Sequence, residues 1–103
     1  MNKNILDMIE YPEEGVLSKE LVKTENLNVD LFCMAEGKEI SEHTSSKEGS
    51  ILVLEGDGIF NLEGKDIKME KGVFIHMAAN AKHSLKANKN TSFILTLIKG
   101  DLI

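Results

Sequence analysis

A succession of short apolar segments after Gly15 limits the fold more than any other feature of the sequence. Turn-forming residues separate these segments, and Glu63-Gly64, between two alternating segments, predicts a two-residue hairpin. The spacing of about 8 to 12 residues is typical of all-β sandwiches and barrels. The segments, each rich in branched and apolar residues, are 16–23, 27–35, 50–54, 58–62, 65–69, 73–77, 83–87 and 92–98. We therefore predict an all-β fold of about eight strands.

The first residues follow a different pattern. Ile5 and Met8 fall on one face of a predicted helix, Asn4 can cap its N-terminus, and Tyr11-Pro12 ends it. Because Tyr11 is the only tyrosine and lies in this segment, we expect it to lie away from the barrel strands. A tyrosine acting inside a barrel pocket is therefore not expected.

Length and charge narrow the classes of protein and partner. With 103 residues the chain has room for one domain, and we divide it into an N-terminal helical segment at 1–14 and a β-barrel at 15–103. The formal charge is −5, and all twelve basic residues are lysines, so the forked guanidinium that grips phosphate is missing. We expect neither nucleic acid nor a membrane as a partner. The acidic run at 36–42 is interpreted as a solvated loop.

Cysteine content and the N-terminus bear on the compartment. Cys33 is the single cysteine, so an intramolecular disulfide is excluded. The apolar stretches are too short to span a bilayer, and no signal peptide is recognisable at the N-terminus. We therefore expect a cytoplasmic protein.

Two strands are apolar on both faces. Residues 51–54 and 93–98 carry more apolar side chains than one small core can cover, so the N-terminal helix or a second subunit must cover the other face. We accordingly predict a homodimer built through strand faces. In the segment 73–77, His76 is expected on the outer face, because its neighbours Ile75 and Met77 form the inward set.

Two stretches resemble the motifs of a known family. Gly37, His43 and the run 50–58 resemble the first motif of the cupins, and the stretch from Gly72 to His83 resembles the second. The chain is most similar to very small cupins with a His-Thr pair in motif one. The resemblance implies a double-stranded β-helix jelly roll with a short N-terminal helix, and it implies that His43 and His83 converge inside the barrel.

The resemblance also implies a metal, but the ligand set departs from the family pattern. Ser45 occupies the position of the second histidine, and the acidic position falls on Gly49, unless the loop shifts by one residue and offers Glu48. His43 and His83 remain as metal ligands, with Glu48 a less favoured third. A divalent transition metal (Fe, Mn, Zn, Ni or Cu) would therefore be bound weakly or be absent. Replacing Ser45 by histidine and Gly49 by glutamate is expected to tighten metal binding.

The histidine pair also has a plainer interpretation, as interior side chains hydrogen-bonded to each other, to water or to a ligand. The predicted ligand pocket comprises His43, Ser45, His83, Met34 and Met77. Of the strand neighbours Cys33 and Met34, only one can point inward, and core packing explains both methionines more simply than copper(I) binding.

Two functions fit these residues. One is a small-molecule binding barrel with a degenerate two-histidine metal site. The alternative is a metal-dependent cupin enzyme, of the dioxygenase or isomerase type, that acts on a small organic substrate. The sequence assigns no catalytic residue, and a fold of this kind hosts many functions.

Overall fold

The computed structural model describes residues 2–99, and within them the chain forms nine β-strands and one short 3-10 turn. The predicted N-terminal helix is this turn, Ile5–Met8, and the Asn4 side chain caps it by accepting a hydrogen bond from the Leu6 amide at 3.0 Å. The strands are β1 Val16–Lys23, β2 Leu27–Met34, β3 Glu39–His43, β4 Glu48–Glu55, β5 Gly58–Leu62, β6 Lys65–Met69, β7 Phe74–Met77, β8 His83–Ala87 and β9 Thr91–Ile98.

The strands form two antiparallel sheets. One contains five strands in the order β1-β2-β9-β4-β7, and the other contains four in the order β3-β8-β5-β6. Core side chains come from both sheets: Met34, Ile51 and Phe93 from the first, and Phe60 and Leu85 from the second. The predicted all-β jelly roll is confirmed. The last four residues of the predicted barrel, 100–103, lie outside the described residues.

One strand was missed in the sequence. The interpretation of 36–42 as a solvated loop is wrong, because β3, Glu39–His43, begins inside it. This strand lies at the edge of the four-stranded sheet, where only Ile40 of its five residues is even half-buried. An edge strand with one inward apolar residue carries almost no alternating hydrophobic signal, which is why it reads as loop.

Two turns contain residues with positive φ. Glu63 and Gly64 have φ values of 51° and 84°, as the predicted two-residue hairpin between β5 and β6 requires. Asn80 has φ of 67° in the turn before β8, where the cupin pattern has glycine. The Asn80 amide donates to the Ser45 carbonyl at 2.7 Å, so this turn holds the loop that follows β3.

The N-terminal segment packs on the outer face of the five-stranded sheet. The Tyr11 hydroxyl donates to the Ser92 hydroxyl of β9 at 3.0 Å, and Lys19 of β1 donates to the Met8 carbonyl at 2.9 Å and pairs with Glu10 at 3.0 Å. The expectation that Tyr11 lies away from the barrel strands is therefore wrong. Partial burial raises the pKa of Tyr11.

The N-terminal segment leaves part of the same outer face exposed. Leu52 of β4 is 41% exposed, Phe74 of β7 is 64% exposed, and Ile98 of β9 is 43% exposed. Leu52 pairs directly with Phe74 and, on its other side, with the half-buried Ile94, so Phe74, Leu52 and Ile94 form a continuous apolar row. Among residues 2–99, no helix is long and apolar enough to cross a membrane.

Candidate functional site

Strand pairing brings the two motif histidines together. His43 is the last residue of β3, His83 is the first residue of β8, and the two face each other in the antiparallel register of these strands. Their ring centroids are 4.1 Å apart and their planes meet at 61°. The two imidazoles that the cupin resemblance assigns to one site thus lie edge to face at one end of the barrel.

A backbone carbonyl fixes the tautomer of each ring. The Nδ1 atom of His43 lies 2.8 Å from the Ser41 carbonyl oxygen, and that of His83 lies 3.0 Å from the Ala81 carbonyl oxygen. A carbonyl oxygen can only accept, so Nδ1 carries the proton in each neutral ring and Nε2 keeps its lone pair. Each histidine is hydrogen-bonded to the residue two positions before it, and each presents Nε2 as an acceptor.

The two rings differ in burial. His83 is only 7% exposed and stacks on Phe60 of β5, with centroids 5.7 Å apart and planes within 8° of parallel. His43, at the end of an edge strand, is exposed. Within residues 2–99, the Nε2 atom of neither ring has a hydrogen-bond partner, and no buried polar side-chain atom is left without one. The His83 Nε2 atom is therefore accessible rather than sealed in the core.

Both histidines line a small cavity between the sheets. Its volume is about 150 Å³. The stacked pair Phe32 and Phe93, from β2 and β9, forms part of its wall, with ring centroids 5.3 Å apart and planes within 7° of parallel. The nine lining residues are seven apolar side chains and two imidazoles: Phe32, Ile40, His43, Ile51, Met77, His83, Leu85, Phe93 and Leu95.

The other predicted pocket residues are divided between the cavity and its surroundings. Met77 lines the cavity, whereas Met34 is fully buried in the packed core and does not line it. Ser45 does not line it either: its hydroxyl accepts from the Lys47 amide at 3.1 Å within the loop. Met34 is the inward member of its pair, and Cys33 is buried on the opposite face of β2.

The acidic position of the cupin pattern supplies no ligand. Glu48 is exposed on the outer face of β4, where its carboxylate lies 2.6 Å from the Nε2 atom of His76. The expectation that His76 faces outward is correct, and a loop shift that would bring Glu48 inside does not occur. Because Gly49 is the inward residue, the alternation of the strand directs Glu48 away from the cavity.

Gly49 cannot simply be replaced by a ligand. A Cβ atom built there would lie 2.7 Å from Cδ2 of Leu97 and 2.8 Å from the Thr96 carbonyl oxygen of β9. We therefore no longer expect Gly49→Glu to restore the ligand set, because neighbouring atoms fill the space that a side chain would need.

The donor set is thus incomplete for a protein-held transition metal. Stable sites have three or four protein ligands, and this chain offers two Nε2 atoms. Among the described residues 2–99, no group of three or more histidine, cysteine, aspartate or glutamate side chains could hold an ion. The residues present do not fit the metal that the cupin pattern implies.

One charged group near the cavity was missed in the sequence. Asp30 of β2 is two residues before Phe32, on the same face of the strand, and pairs with Leu95 on one side and Glu20 on the other. Burial, and then repulsion by Glu20, raise the pKa of Asp30, while Lys23 opposes them. Since Asp30 is two residues before Phe32, the strand pattern could have predicted that it faces inward. That Glu20 faces Asp30 follows only from the pairing of β1 with β2.

An antiparallel jelly roll with paired histidines at one end of its barrel defines a cupin-type protein. A family profile described as a cupin domain matches residues 30–99, and the chain belongs to this family. No curated protein shows a significant sequence match to it.

Solved structures share the fold. A conserved protein of unknown function from Streptococcus pyogenes superposes with a TM-score of 0.88 at 22% identity, covering 98% of this chain and 89% of that one. A cupin 2 conserved barrel domain protein from Leptotrichia buccalis gives 0.87 at 28% identity, covering 94% of this chain and 47% of that one. A salicylate 1,2-dioxygenase mutant from Pseudoaminobacter salicylatoxidans gives 0.76 at 19% identity, covering 82% and 26%.

Proposed function

We propose that this cupin is a small-molecule binding barrel whose ligand occupies the cavity beside His43 and His83. The observation that carries the proposal is the almost wholly apolar cavity between the sheets, with both histidines in its wall. Pockets that bind small molecules combine apolar walls with a few convergent polar groups that orient the ligand. The histidines supply this orientation, and the apolar side chains supply the contact area.

The scarcity of reactive groups favours binding over catalysis. The cavity has no lining tyrosine, serine, lysine or carboxylate among residues 2–99 that could act as an acid, base or nucleophile beside the imidazoles. Any divalent metal would be held by the two Nε2 atoms alone on the protein side, which supports a degenerate site with weak affinity.

A screen of small neutral molecules tests the binding function. Binding is read from methyl NMR signals of the cavity residues Met77 and Leu85 in the full chain. Ile40→Phe places a larger side chain at the cavity wall and is expected to reduce binding severalfold. Ile59→Phe, on the outer face of the four-stranded sheet, is the matched control and is expected to leave binding unchanged. If no molecule shifts the cavity methyl signals, or if Ile40→Phe binds as well as the wild type, the proposal is wrong.

A second candidate function is a metal-dependent enzyme of the dioxygenase or isomerase type. Metal-ligating histidines commonly donate their other ring nitrogen to a carbonyl, and His43 and His83 both do so. The fold is also shared with a salicylate 1,2-dioxygenase. Metal analysis of protein purified without a histidine tag distinguishes the two functions. We expect well under one equivalent of metal, whereas near-stoichiometric metal that is lost in His83→Ala would favour the enzyme.

We also propose that the chain forms a homodimer through the apolar row on the outer face of the five-stranded sheet. Leu52 and Phe74 are adjacent there, and both are large and exposed. Contiguous exposed apolar surface on a small protein marks an interaction site. A second copy offers the same row, so a two-fold arrangement would cover both.

A further inference from the structure

We propose that the N-terminal segment of each copy packs on the apolar row of the other copy, with Leu6 of one copy against the partner's Phe74. The proposal rests on the homodimer proposed above and names the contact that holds the two copies together. Four observations support it: the position of the exposed apolar side chains, the shape of the outer face, the area available for burial and the charges on this face.

The large, exposed apolar side chains of residues 2–99 all lie on one side of the molecule. Three of them, Leu52, Phe74 and Ile98, project from the outer face of the five-stranded sheet. The fourth, Leu6, belongs to the N-terminal segment that packs on this face. Leu6 is 66% exposed, whereas Met8 of the same turn is half-buried. Leu6 therefore points away from the sheet beneath it, toward whatever covers this side of the molecule.

The outer face has two levels. The N-terminal segment lies over the side formed by β1, β2 and β9, where Tyr11 and Lys19 hold it. Beneath it, Leu31 of β2 and Ser92 of β9 face outward and are nevertheless fully buried. The side formed by β4 and β7 carries no such layer within residues 2–99, since Leu52 is exposed there. Two copies can approach closely only if the raised half of each lies on the lower half of the other, and a two-fold axis makes this contact twice.

The area available for burial shows why Leu6 is needed. With about 150 to 200 Å² for a whole large apolar residue, the exposed parts of Leu52, Phe74 and Ile98 amount to roughly 220 to 300 Å² per copy. Homodimer interfaces are about 65% apolar, so this corresponds to a total of roughly 700 to 900 Å², below the ~1,000 Å² of a specific interface. Adding Leu6 raises the total to roughly 1,000 to 1,300 Å².

The charges on this face allow two copies to meet. The chain has a formal charge of −5, so contacts between identical surfaces tend to bring like charges together. On the outer face, two pairs of charged or polar side chains are closed within one copy: Lys19 lies 3.0 Å from Glu10, and the Nε2 atom of His76 lies 2.6 Å from Glu48. The apolar row itself is uncharged. The row can therefore receive an apolar side chain of a second copy without opposing like charges.

Two variants of the full chain test the contact by analytical ultracentrifugation. Leu6→Asp and Phe74→Lys each put a charge into the proposed contact, which occurs twice in each dimer. Both positions are exposed in the single copy, so each variant should fold. Each should weaken dimerisation at least a hundredfold, because the apolar burial is lost twice. An equimolar mixture of the two variants should dimerise again, because the mixed dimer keeps one native contact and brings the two introduced charges, which are opposite in sign, together at the other.

A mixture with like charges is the matched control. Leu6→Lys mixed with Phe74→Lys also keeps one native contact, but it opposes two cations at the other. Its mixed dimer should therefore be at least tenfold weaker than the mixed dimer of Leu6→Asp with Phe74→Lys.

The outcomes distinguish this contact from the dimer itself. A wild type that stays monomeric at micromolar concentration refutes both the homodimer and the contact. If the wild type is dimeric and Leu6→Asp dimerises equally well, the contact is wrong and the homodimer stands. The same conclusion follows if the oppositely charged mixture stays monomeric, or if it dimerises no more tightly than the like-charged mixture.

Discussion

Replacement of Gly49 by alanine tests why this barrel lacks the acidic ligand of its family. Gly49 is buried on the inner face of β4, and the side-chain space beside it is already filled. A methyl group there would lie 2.7 Å from Cδ2 of Leu97, 2.8 Å from the Thr96 carbonyl oxygen and 3.4 Å from Cε of Met77. Non-bonded carbon atoms prefer separations of about 3.5 to 4.0 Å. The first two contacts are therefore too short.

The two short contacts differ in how easily they relax. Leu97 can change its side-chain conformation, whereas the Thr96 oxygen belongs to the backbone of β9 and moves only with the strand. Overpacking of this kind costs about 1 to 3 kcal/mol. Replacing a strand glycine by alanine recovers about 0.5 to 1 kcal/mol, because the unfolded chain loses conformational freedom. The two effects together give a net cost of about 0 to 2.5 kcal/mol, and because the Thr96 oxygen cannot move by itself, Gly49→Ala should lower the free energy of unfolding by about 1 kcal/mol or more.

Urea denaturation of the wild type and the variant measures this difference. Ser50→Ala, at the next residue and on the outer face, is the control and should change stability by less than about 0.5 kcal/mol. The double variant Ser45→His/Gly49→Glu should be destabilised further and should not gain metal affinity. If Gly49→Ala is as stable as the wild type, or if the double variant binds metal tightly, the steric explanation is wrong.

The remaining predictions concern the outer face, a carboxyl group, a turn and the dimer. Tyr11→Phe leaves the fully buried Ser92 hydroxyl without its donor and should lower the free energy of unfolding by about 1 to 3 kcal/mol. Adding Ser92→Ala should recover part of this loss. If the effects of the two substitutions simply add in urea denaturation, the hydrogen bond does not stabilise the fold in this way. Asp30→Asn should raise the free energy of unfolding by about 0.2 to 1 kcal/mol at pH 7, because burial and the facing glutamate raise the pKa of the carboxyl in the folded state. The ionised Asp30 destabilises the wild type fully above this raised pKa, and the effect is lost as the pH falls below the usual value near 3.8. If the variant and the wild type are equally stable at pH 7, this prediction is wrong. Asn80→Gly should be nearly neutral in thermal denaturation, whereas Asn80→Val should cost about 1 to 2 kcal/mol at φ of 67°; equal stabilities would show that the turn is built otherwise. Phe74→Lys should convert the proposed homodimer to a monomer in light scattering, and a monomeric wild type would refute the dimer.

The strands and turns with a strong local signal could be predicted from the sequence. Alternation in 58–62 and 65–69, with Glu63-Gly64 between them, indicates a hairpin whose register the turn fixes. The cupin resemblance then placed His43 and His83 together, although they are far apart in the chain. Local propensity and two motifs were sufficient for the fold class and for the centre of the site.

The tertiary structure determined which side chains reach the cavity. The sequence predicted that Ser45 and Met34 line the pocket. In the structure, a hydrogen bond within the loop holds the Ser45 side chain, and Met34 is packed in the core. Phe32 and Phe93 stack in the cavity wall because β2 pairs with β9. The sequence of either strand alone does not indicate which strand it pairs with. Contacts between distant segments depend on register and strand order, which local patterns do not encode.

The sequence by itself determined the all-β barrel, the hairpin turn at Glu63-Gly64 and the two histidines, because each depends on residues within one short segment or motif. Only the tertiary structure decided that Glu48 faces outward toward His76, that Leu97 and Thr96 fill the space beside Gly49, and that Tyr11 reaches β9. Each of these contacts joins residues from separate strands or segments. Their geometry is set when the sheets close around one core, since the packing of side chains from both sheets fixes the position of every strand.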